Sequence, residues 1–283
     1  MTELKIFDFK ILQKEKNNVF ITITGMTKSG KNVWFHEALY HMNKGPSGKY
    51  SDIFLFSSTV GVQDKKKYFP MIPDNRRFDN LTKLSKILEI RKNSKNKTNI
   101  MIILDDVTSM KEGLKMFRNS QSVINLATMG RHLNISAVCL LQKDTLVSPI
   151  IRNNSSYIVV FLPKSHRDLL SVKERYLSMC NRKTADYIFE NTFNVPYQCL
   201  VVNQSSPGIC HLEDFVFKSI APEKLRNYSL KLSTSKSIKN NNLKHNISNV
   251  EINKNSEKYQ PGESENRWKI STRSPRKKNK DYR

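Results

Sequence analysis

The chain of 283 residues contains 48 Lys and Arg residues against 25 Asp and Glu residues, so its formal net charge is +23. Hydrophobic residues make up 38% of the sequence, and no apolar run approaches the roughly 20 residues of a transmembrane helix, which excludes collagen, a coiled coil and a membrane protein. The first residues lack the apolar core of a signal peptide, and four cysteines are too few for a disulfide framework, so we expect a reducing compartment.

Short apolar segments rich in β-branched residues alternate with amphipathic segments along most of the chain. The predicted strands are residues 19–24, 52–56, 100–104, 135–141, 156–161 and, as the last one, 199–202. The predicted helices are residues 35–42, 81–90, 112–129, 165–179 and 183–192. This alternation predicts an α/β fold in which helices cover both faces of a mostly parallel sheet.

The two ends of the chain depart from this pattern. Residues 1–17 are predicted to form an edge segment, residues 18–225 one folded domain without internal repeats, and residues 226–283 a basic, disordered tail. From Lys231 onward the chain has 14 basic and five acidic residues but few large apolar ones, which is typical of disorder. Such a tail suits the phosphates of DNA through counterion release. The alternative is a solvated tail that only aids solubility.

A glycine-rich segment connects the first predicted strand to the first predicted helix. Gly25, Gly30 and Lys31 have the spacing of a P-loop, in which backbone N–H groups and the helix N-terminus surround phosphates. The alternative is a turn that merely joins the two elements. The predicted nucleotide-binding residues are Gly25, Met26, Thr27, Lys28, Ser29, Gly30, Lys31 and Asn32.

Asn32 stands where a P-loop usually has Ser or Thr, whose hydroxyl ligates Mg²⁺. An amide oxygen also ligates hard cations, but it lies further from the backbone. Either Asn32 replaces the hydroxyl as a metal ligand, or hydrolysis is impaired; we favour retained activity.

Two adjacent carboxylates follow the predicted strand 100–104. The carboxyl ends of parallel strands are where ligands bind in open α/β sheets, so we expect Asp105 to hold Mg²⁺ and Asp106 to polarise the attacking water. The alternative is a turn or helix-capping pair. The strand 53–56 between the two motifs is typical of RecA-like motor ATPases, and no Asn-Lys-x-Asp guanine motif is present, which favours ATP over GTP.

Gln142 follows the next predicted strand, 135–141. A polar side chain at this position in such motors senses the γ-phosphate or positions the water, so we predict a catalytic role. The alternative is a polar residue where a buried strand reaches the surface.

Several segments carry a resemblance to a known family. They are Gly-Arg-His-Leu-Asn-Ile-Ser at 130–136 followed by Gln142, Pro-Ile-Ile-Arg-Asn-Asn-Ser at 149–155, and the strands at 53–56 and 103–107. Together, over about residues 18–203, the chain resembles the poxvirus-type DNA-packaging ATPases of large DNA viruses and virophages, which belong to the FtsK–HerA superfamily. The tail shows no such resemblance.

The resemblance implies a RecA-like ATPase that uses ATP and Mg²⁺, assembles as a ring, most typically a hexamer, and pumps double-stranded genomic DNA into a preformed capsid. It makes Arg131 and Arg152 candidates for an arginine finger that reaches a neighbour's ATP; the alternative for each is a salt bridge or a DNA-phosphate contact. It also implies capsid portal or vertex proteins as partners, and a location in a cytoplasmic virus factory, the nucleus or the virion.

Two further functions stay open on the sequence. One is a nucleotide- and DNA-binding assembly protein with little hydrolysis, and the other is an FtsK–HerA-type enzyme of DNA transfer.

Two weaker patterns give further alternatives. Cys180, Cys199, Cys210 and His211 lack the paired spacing of a zinc site, and the three cysteines are predicted to be buried thiols. Residues 65–69 and 76–77 form a basic stretch that either contacts DNA or is a solvated loop.

Overall fold

The computed structural model describes residues 4–44, 48–60, 69–95, 98–110, 117, 120–205 and 211–225, without the side chain of residue 213. The predicted tail, Cys210, residues 65–68 of the basic stretch and most of residues 111–119 lie outside the described residues. The described residues all belong to one compact unit, Met1–Lys236. The domain boundaries at residues 17 and 225 stay predictions.

The described residues contain eight strands in a single sheet. The strands are β1 (Phe20–Thr24), β2 (Asp52–Ser57), β3 (Arg77–Phe78), β4 (Ile100–Asp105), β5 (Ile135–Leu141), β6 (Tyr157–Phe161), β7 (Gln198–Asn203) and β8 (Val216–Ile220). Their order across the sheet is β3-β2-β4-β5-β1-β6-β7-β8. The first six in this order are parallel, and β7 is antiparallel to both β6 and β8. The predicted α/β fold with a mostly parallel sheet is therefore confirmed.

Helices connect the strands on both sides of the sheet. They are α1 (Lys10–Lys14), α2 (Lys31–Met42), α3 (Thr82–Asn93), α4 (Gln121–Met129), α5 (Pro149–Asn154), α6 (His166–Tyr176), α7 (Arg182–Thr192) and α8 (Leu212–Phe215). Within the described parts of the chain, no helix is both long and apolar enough to cross a bilayer.

Two predicted elements need correction. The predicted strand at 199–202 is not the last strand, because β8 follows it. The sequence did not reveal β8, because Lys218 and Ser219 interrupt the apolar run by which the other strands were identified. The helix predicted over 112–129 is not continuous, because Ser120 has an extended backbone (ψ 119°) and α4 begins after it. Serine competes for backbone hydrogen bonds and so favours helix starts over helix interiors.

Alternate residues of the central strands face opposite cores, which is why these strands are mostly apolar. Ile21 and Ile23 of β1 pack with α1 and α2 on one face, where Trp34 and Phe35 are fully buried. Phe20 faces the second core, with α3, α4 and α5. A third core lies between β6–β8 and the helices α6 and α7.

The N-terminal segment lies along the free edge of β8. The N–H of Phe7 donates to the carbonyl of Lys218 at 2.9 Å, and the N–H of Lys218 donates to the carbonyl of Lys5 at 3.1 Å. Leu4, Phe7 and Leu12 are buried in the cores of the sheet. The segment therefore covers backbone groups that would otherwise form an open sheet edge.

The strand order fixes where a ligand site lies. Strand β5 separates β1 from β4, so the predicted phosphate loop after β1, Gln142 after β5 and the acidic pair at the end of β4 come to the same edge of the sheet. The carboxyl ends of parallel strands form the ligand-binding edge of such sheets.

Candidate functional site

The loop between β1 and α2 has the backbone of a phosphate-binding turn. The N–H of Ser29 donates to the carbonyl of Met26 at 3.1 Å, which closes a turn, and the N–H of Trp34 donates to the carbonyl of Gly30 at 2.9 Å, which starts α2. Gly30 has φ +101°, a conformation that a residue with a side chain rarely adopts. The loop therefore directs the N-terminus of α2 toward the carboxyl edge of the sheet.

The two predicted glycines also lack space for a side chain. A Cβ on Gly25 would lie 2.6 Å from Cβ of Phe161 and 2.8 Å from Oγ of Ser29. A Cβ on Gly30 would lie 2.9 Å from Cβ of Ala221. The loop is thus packed directly on the end of β6 and on the residue that follows β8.

Gly25→Ala is expected to lower the free energy of unfolding by about 1–3 kcal/mol, because Cβ of Phe161 is fixed to its strand and the loop must move instead. The measurement is urea denaturation. Gly130→Ala is the matched control, since its new Cβ meets its nearest neighbour, the carbonyl oxygen of Ile135, at 3.4 Å. Equal stability of the two variants would contradict the tight packing of the loop.

Lys31 lies inside the loop that precedes it. Its Nζ donates to the carbonyl of Gly25 at 2.6 Å and to that of Met26 at 3.0 Å. Burial lowers the pKa of the Lys31 ammonium, against the opposing attraction of Asp105 and Asp106. The Lys31 ammonium therefore has two carbonyl partners in place of a phosphate. It lies close enough to Asp105 and Asp106 for their negative charge to act on its pKa.

Asp105 is held by the neighbouring strand. It is 5% exposed, and its Oδ2 accepts a hydrogen bond from Oγ of Ser57 at 3.1 Å. Ser57 is fully buried at the end of β2, pairs in register with Asp105, and lies 3.0 Å from the hydroxyl of Thr59. Sequence reasoning missed both hydroxyls; the signal that would have found them is the polar residue at the end of the predicted strand 52–56.

Asp106 and Gln142 are hydrogen-bonded to each other. Nε2 of Gln142 donates to Oδ2 of Asp106 at 2.9 Å, and the N–H of Asp106 donates to the carbonyl of Leu140 at 3.0 Å. The backbone of Asp106 is left-handed (φ +47°), which aspartate tolerates better than most residues. Its Oδ1 is buried and accepts no hydrogen bond from any described residue. One carboxylate oxygen is thus fixed, and the other has capacity for a water or a ligand.

A pocket of about 270 Å³ brings these groups together. Its lining consists of Thr27, Lys28, Ser29, Gly30, Lys31, Asn32, Val33, Thr59, Asp105, Asp106, Leu140 and Gln142. Gly25 and Met26, which we also predicted to bind nucleotide, do not line it; they contribute carbonyls to Lys31 and border a second pocket of about 200 Å³.

The donor atoms of the pocket suit Mg²⁺. Oxygen ligands are available from Asp105, Asp106, Asn32 and Thr59. Oδ1 of Asp106 is buried and accepts no hydrogen bond from a described residue. In the described parts of the chain no three His, Cys, Asp or Glu residues form a metal-binding group. The two carboxylates fit Mg²⁺, which proteins commonly hold with one or two carboxylates while phosphates and water complete its coordination.

The cysteines and the basic stretch have other surroundings. Cys199 is fully buried on β7, and burial raises the pKa of its thiol, as expected of a structural cysteine. Cys180 is only half-buried. Arg76 pairs with Asp52 at 2.8 Å, and Arg77 donates to the carbonyl of Phe69 at 2.6 Å. These two arginines therefore stabilise the loop before β3, which speaks against their proposed contact with DNA.

Neither candidate arginine finger lines the pocket. Arg131 is exposed on a short 3-10 turn, Gly130–Leu133, that precedes the amino end of β5, so it lies at the opposite edge of the sheet. Arg152 is half-buried on α5. A finger that acts on a neighbouring subunit lies outside its own pocket, so both assignments stay predictions.

The strand order and the loop, carboxylate and glutamine at one sheet edge define a RecA-like P-loop NTPase fold. Residues 4–188, well over half of the chain, match the family described as Poxvirus A32 protein. The chain belongs to this family, which confirms the resemblance inferred from its motifs.

The solved structures that match this chain are only distantly related to it in sequence. The genome packaging NTPase B204 from Sulfolobus turreted icosahedral virus 2, in complex with AMPPCP, is 16% identical with a TM-score of 0.48, over 72% of this chain and 98% of that one. The conjugation coupling protein TcpA of pCW3 is 13% identical with a TM-score of 0.49, over 78% and 70%. A comparison with curated proteins gave no match.

Proposed function

We propose that this protein is an ATP-driven DNA translocase that packages viral genomic DNA into a capsid. The observation that carries the proposal is the hydrogen-bonded pair of Asp106 and Gln142 beside Lys31, at the mouth of a phosphate-binding loop. A positioned carboxylate, a polar partner and a cation within reach of the phosphates are the groups that hydrolysis of a nucleoside triphosphate requires.

Each group has a distinct task in the reaction. The backbone N–H groups of the loop and the ammonium of Lys31 bind phosphate oxygens, and Lys31 exchanges its two carbonyl partners for them. Asp106 orients and polarises the attacking water through its free Oδ1, while Gln142 fixes the carboxylate by binding Oδ2. Asp105 and Asn32 would hold Mg²⁺, which neutralises charge on the β- and γ-phosphates when bound.

Action on DNA is supported by family membership and by charge. The chain carries a net charge of +23, and phosphate contacts of lysine and arginine are independent of sequence. The protein acts in this proposal as a homo-oligomeric ring, most simply a hexamer, in which Arg131 or Arg152 reaches a neighbour's ATP. Its partners are double-stranded DNA and the capsid vertex, and its place is the virus factory or nucleus of the host cell, or the virion.

The test is ATP hydrolysis with and without double-stranded DNA. We expect DNA to stimulate the wild type and Lys31→Ala to remain at background, because the variant lacks the cation that binds the phosphates. Lys92→Ala, which removes an exposed charge at the end of α3, is the matched control. Equal background rates for wild type and Lys31→Ala would contradict the proposal, and a capsid-filling assay separates packaging from other FtsK–HerA-type DNA transfer.

One observation favours a second function, a nucleotide- and DNA-binding assembly protein with weak hydrolysis. Asn32 lines the pocket where a hydroxyl would ligate the metal. If the amide holds the metal poorly, Asn32→Thr raises the hydrolysis rate several-fold, a change in the barrier of about 1 kcal/mol. Steady-state ATPase assays measure this, with Asn32→Ala as the control that supplies no ligand. An unchanged or lower rate for Asn32→Thr would refute poor metal binding.

A further inference from the structure

The pocket gives bound ATP a direction. In the proposed reaction the γ-phosphate lies beside Asp105, Asp106 and Gln142. These residues lie at the carboxyl ends of β4 and β5, on one side of β1. An extended triphosphate whose γ-phosphate lies there places its ribose and base on the other side of β1. At that part of the edge β6 and β8 end and β7 begins. The residues at that part of the edge are therefore candidates to contact the base.

Tyr197 lies at this place, directly against the phosphate loop. It immediately precedes β7, which is antiparallel to β6, so it lies beside the carboxyl end of β6. A Cβ on Gly30 would lie 3.4 Å from Cδ1 of Tyr197, and the carbonyl of Tyr197 accepts the N–H of Ala221 at 3.0 Å. The ring is thus next to the last residue of the loop.

The conformation of Tyr197 is unusual for its residue type. Its backbone is left-handed (φ +65°), and the residue is 58% exposed although it is aromatic. The preceding turn is held by Gln198, whose Oε1 accepts the N–H of Val195 at 3.1 Å. A bulky residue in a left-handed backbone is uncommon, and such strained residues occur preferentially at ligand-binding sites.

We propose that Tyr197 is a binding residue for the base of the nucleotide, which stacks on its exposed ring. The inference rests on the proposed function, because it takes the pocket to hold ATP. Stacking on an aromatic ring uses the π-face that every base has. The contact therefore contributes affinity for nucleoside triphosphates over inorganic polyphosphate, and it leaves the choice among bases to other groups.

The test compares ATP with inorganic tripolyphosphate, which has the phosphates but no base, in equilibrium binding to the full chain with Mg²⁺. Tyr197→Asn removes the ring and keeps a residue that tolerates a left-handed backbone. We expect it to weaken ATP binding about tenfold, the order that loss of one base–aromatic stack produces, and to leave tripolyphosphate binding unchanged. Tyr197→Phe keeps the ring, and Val195→Ala removes another exposed side chain of the same turn; both are expected to bind ATP as the wild type does.

The outcomes separate the inference from the proposed function. Unchanged ATP affinity in Tyr197→Asn, or an equal loss of affinity for both ligands, would overturn the role of the ring. A wild-type protein that binds neither ligand would contradict the proposed function itself, and the inference with it.

Discussion

Asp106→Asn is expected to reduce ATP hydrolysis by roughly 10²–10⁴-fold, the usual contribution of a positioned acid–base group. The amide has nearly the same shape but cannot take up a proton or attract the water as strongly. Asparagine also tolerates the left-handed backbone that residue 106 adopts, so the fold of the loop is retained. Steady-state ATPase rates measure the loss.

ATP affinity distinguishes a catalytic from a structural effect. Because Lys31 and the loop are intact, Asp106→Asn is expected to bind ATP about as well as the wild type. Gln142→Ala is expected to lose less activity, since Gln142 only fixes one oxygen of the carboxylate. Asp79→Asn, at an exposed position before α3, is the matched control. A full hydrolysis rate in Asp106→Asn would exclude this residue as the group that activates water.

The parts of the site that are local in sequence were predictable. Gly25, Gly30 and Lys31 fall within seven residues between a strand and a helix, and the acidic pair 105–106 follows the apolar run 100–104. Burial on both faces makes such strands conspicuous, and a turn that binds phosphate needs glycine at fixed spacing. Motif and flanking elements together therefore predicted which residues come to this edge of the sheet, but not that Gln142 binds Asp106 directly.

The parts that depend on pairing between distant segments were not predictable. Ser57 acts on Asp105 only because β2 and β4 pair in register across 48 positions. Tyr197 lies next to the phosphate loop only because β7 reverses direction beside β6. A single strand pattern specifies neither its neighbour nor its register, so these residues had no signal of their own beyond being polar or aromatic near a strand end.

The loop that carries Gln142 has a second anchor, which the sequence also did not reveal. Asp144 lies on the 3-10 turn Asp144–Leu146 and is 5% exposed. Its carboxylate pairs with the guanidinium of Arg175 and accepts the hydroxyl of Tyr176, both at the end of α6. Burial and the charge of Asp144 raise the pKa of the Tyr176 phenol, so this hydroxyl stays a donor at neutral pH. The carboxylate thus ties the end of β5 to the helix behind it.

Asp144→Ala is expected to lower the free energy of unfolding by about 3 kcal/mol, as urea denaturation would measure. Removing one partner of a buried ion pair typically costs about 3–5 kcal/mol, because the other charge is left without compensation. The low end applies here, since the side chain of Arg175 is 29% exposed and retains access to water.

Asp186→Ala is the matched control, because Asp186 also pairs with a cation of α6, Lys173, but is 42% exposed. Water screens such a pair, so we expect little change in stability.

The fraction of Asp144→Ala that is folded is also expected to hydrolyse ATP more slowly than the wild type. Gln142 lies two residues before Asp144, so without this carboxylate it is held less firmly against Asp106. Equal stabilities of the two variants would show that the buried carboxylate does not anchor the loop, and a full hydrolysis rate in folded Asp144→Ala would show that Gln142 is positioned without it.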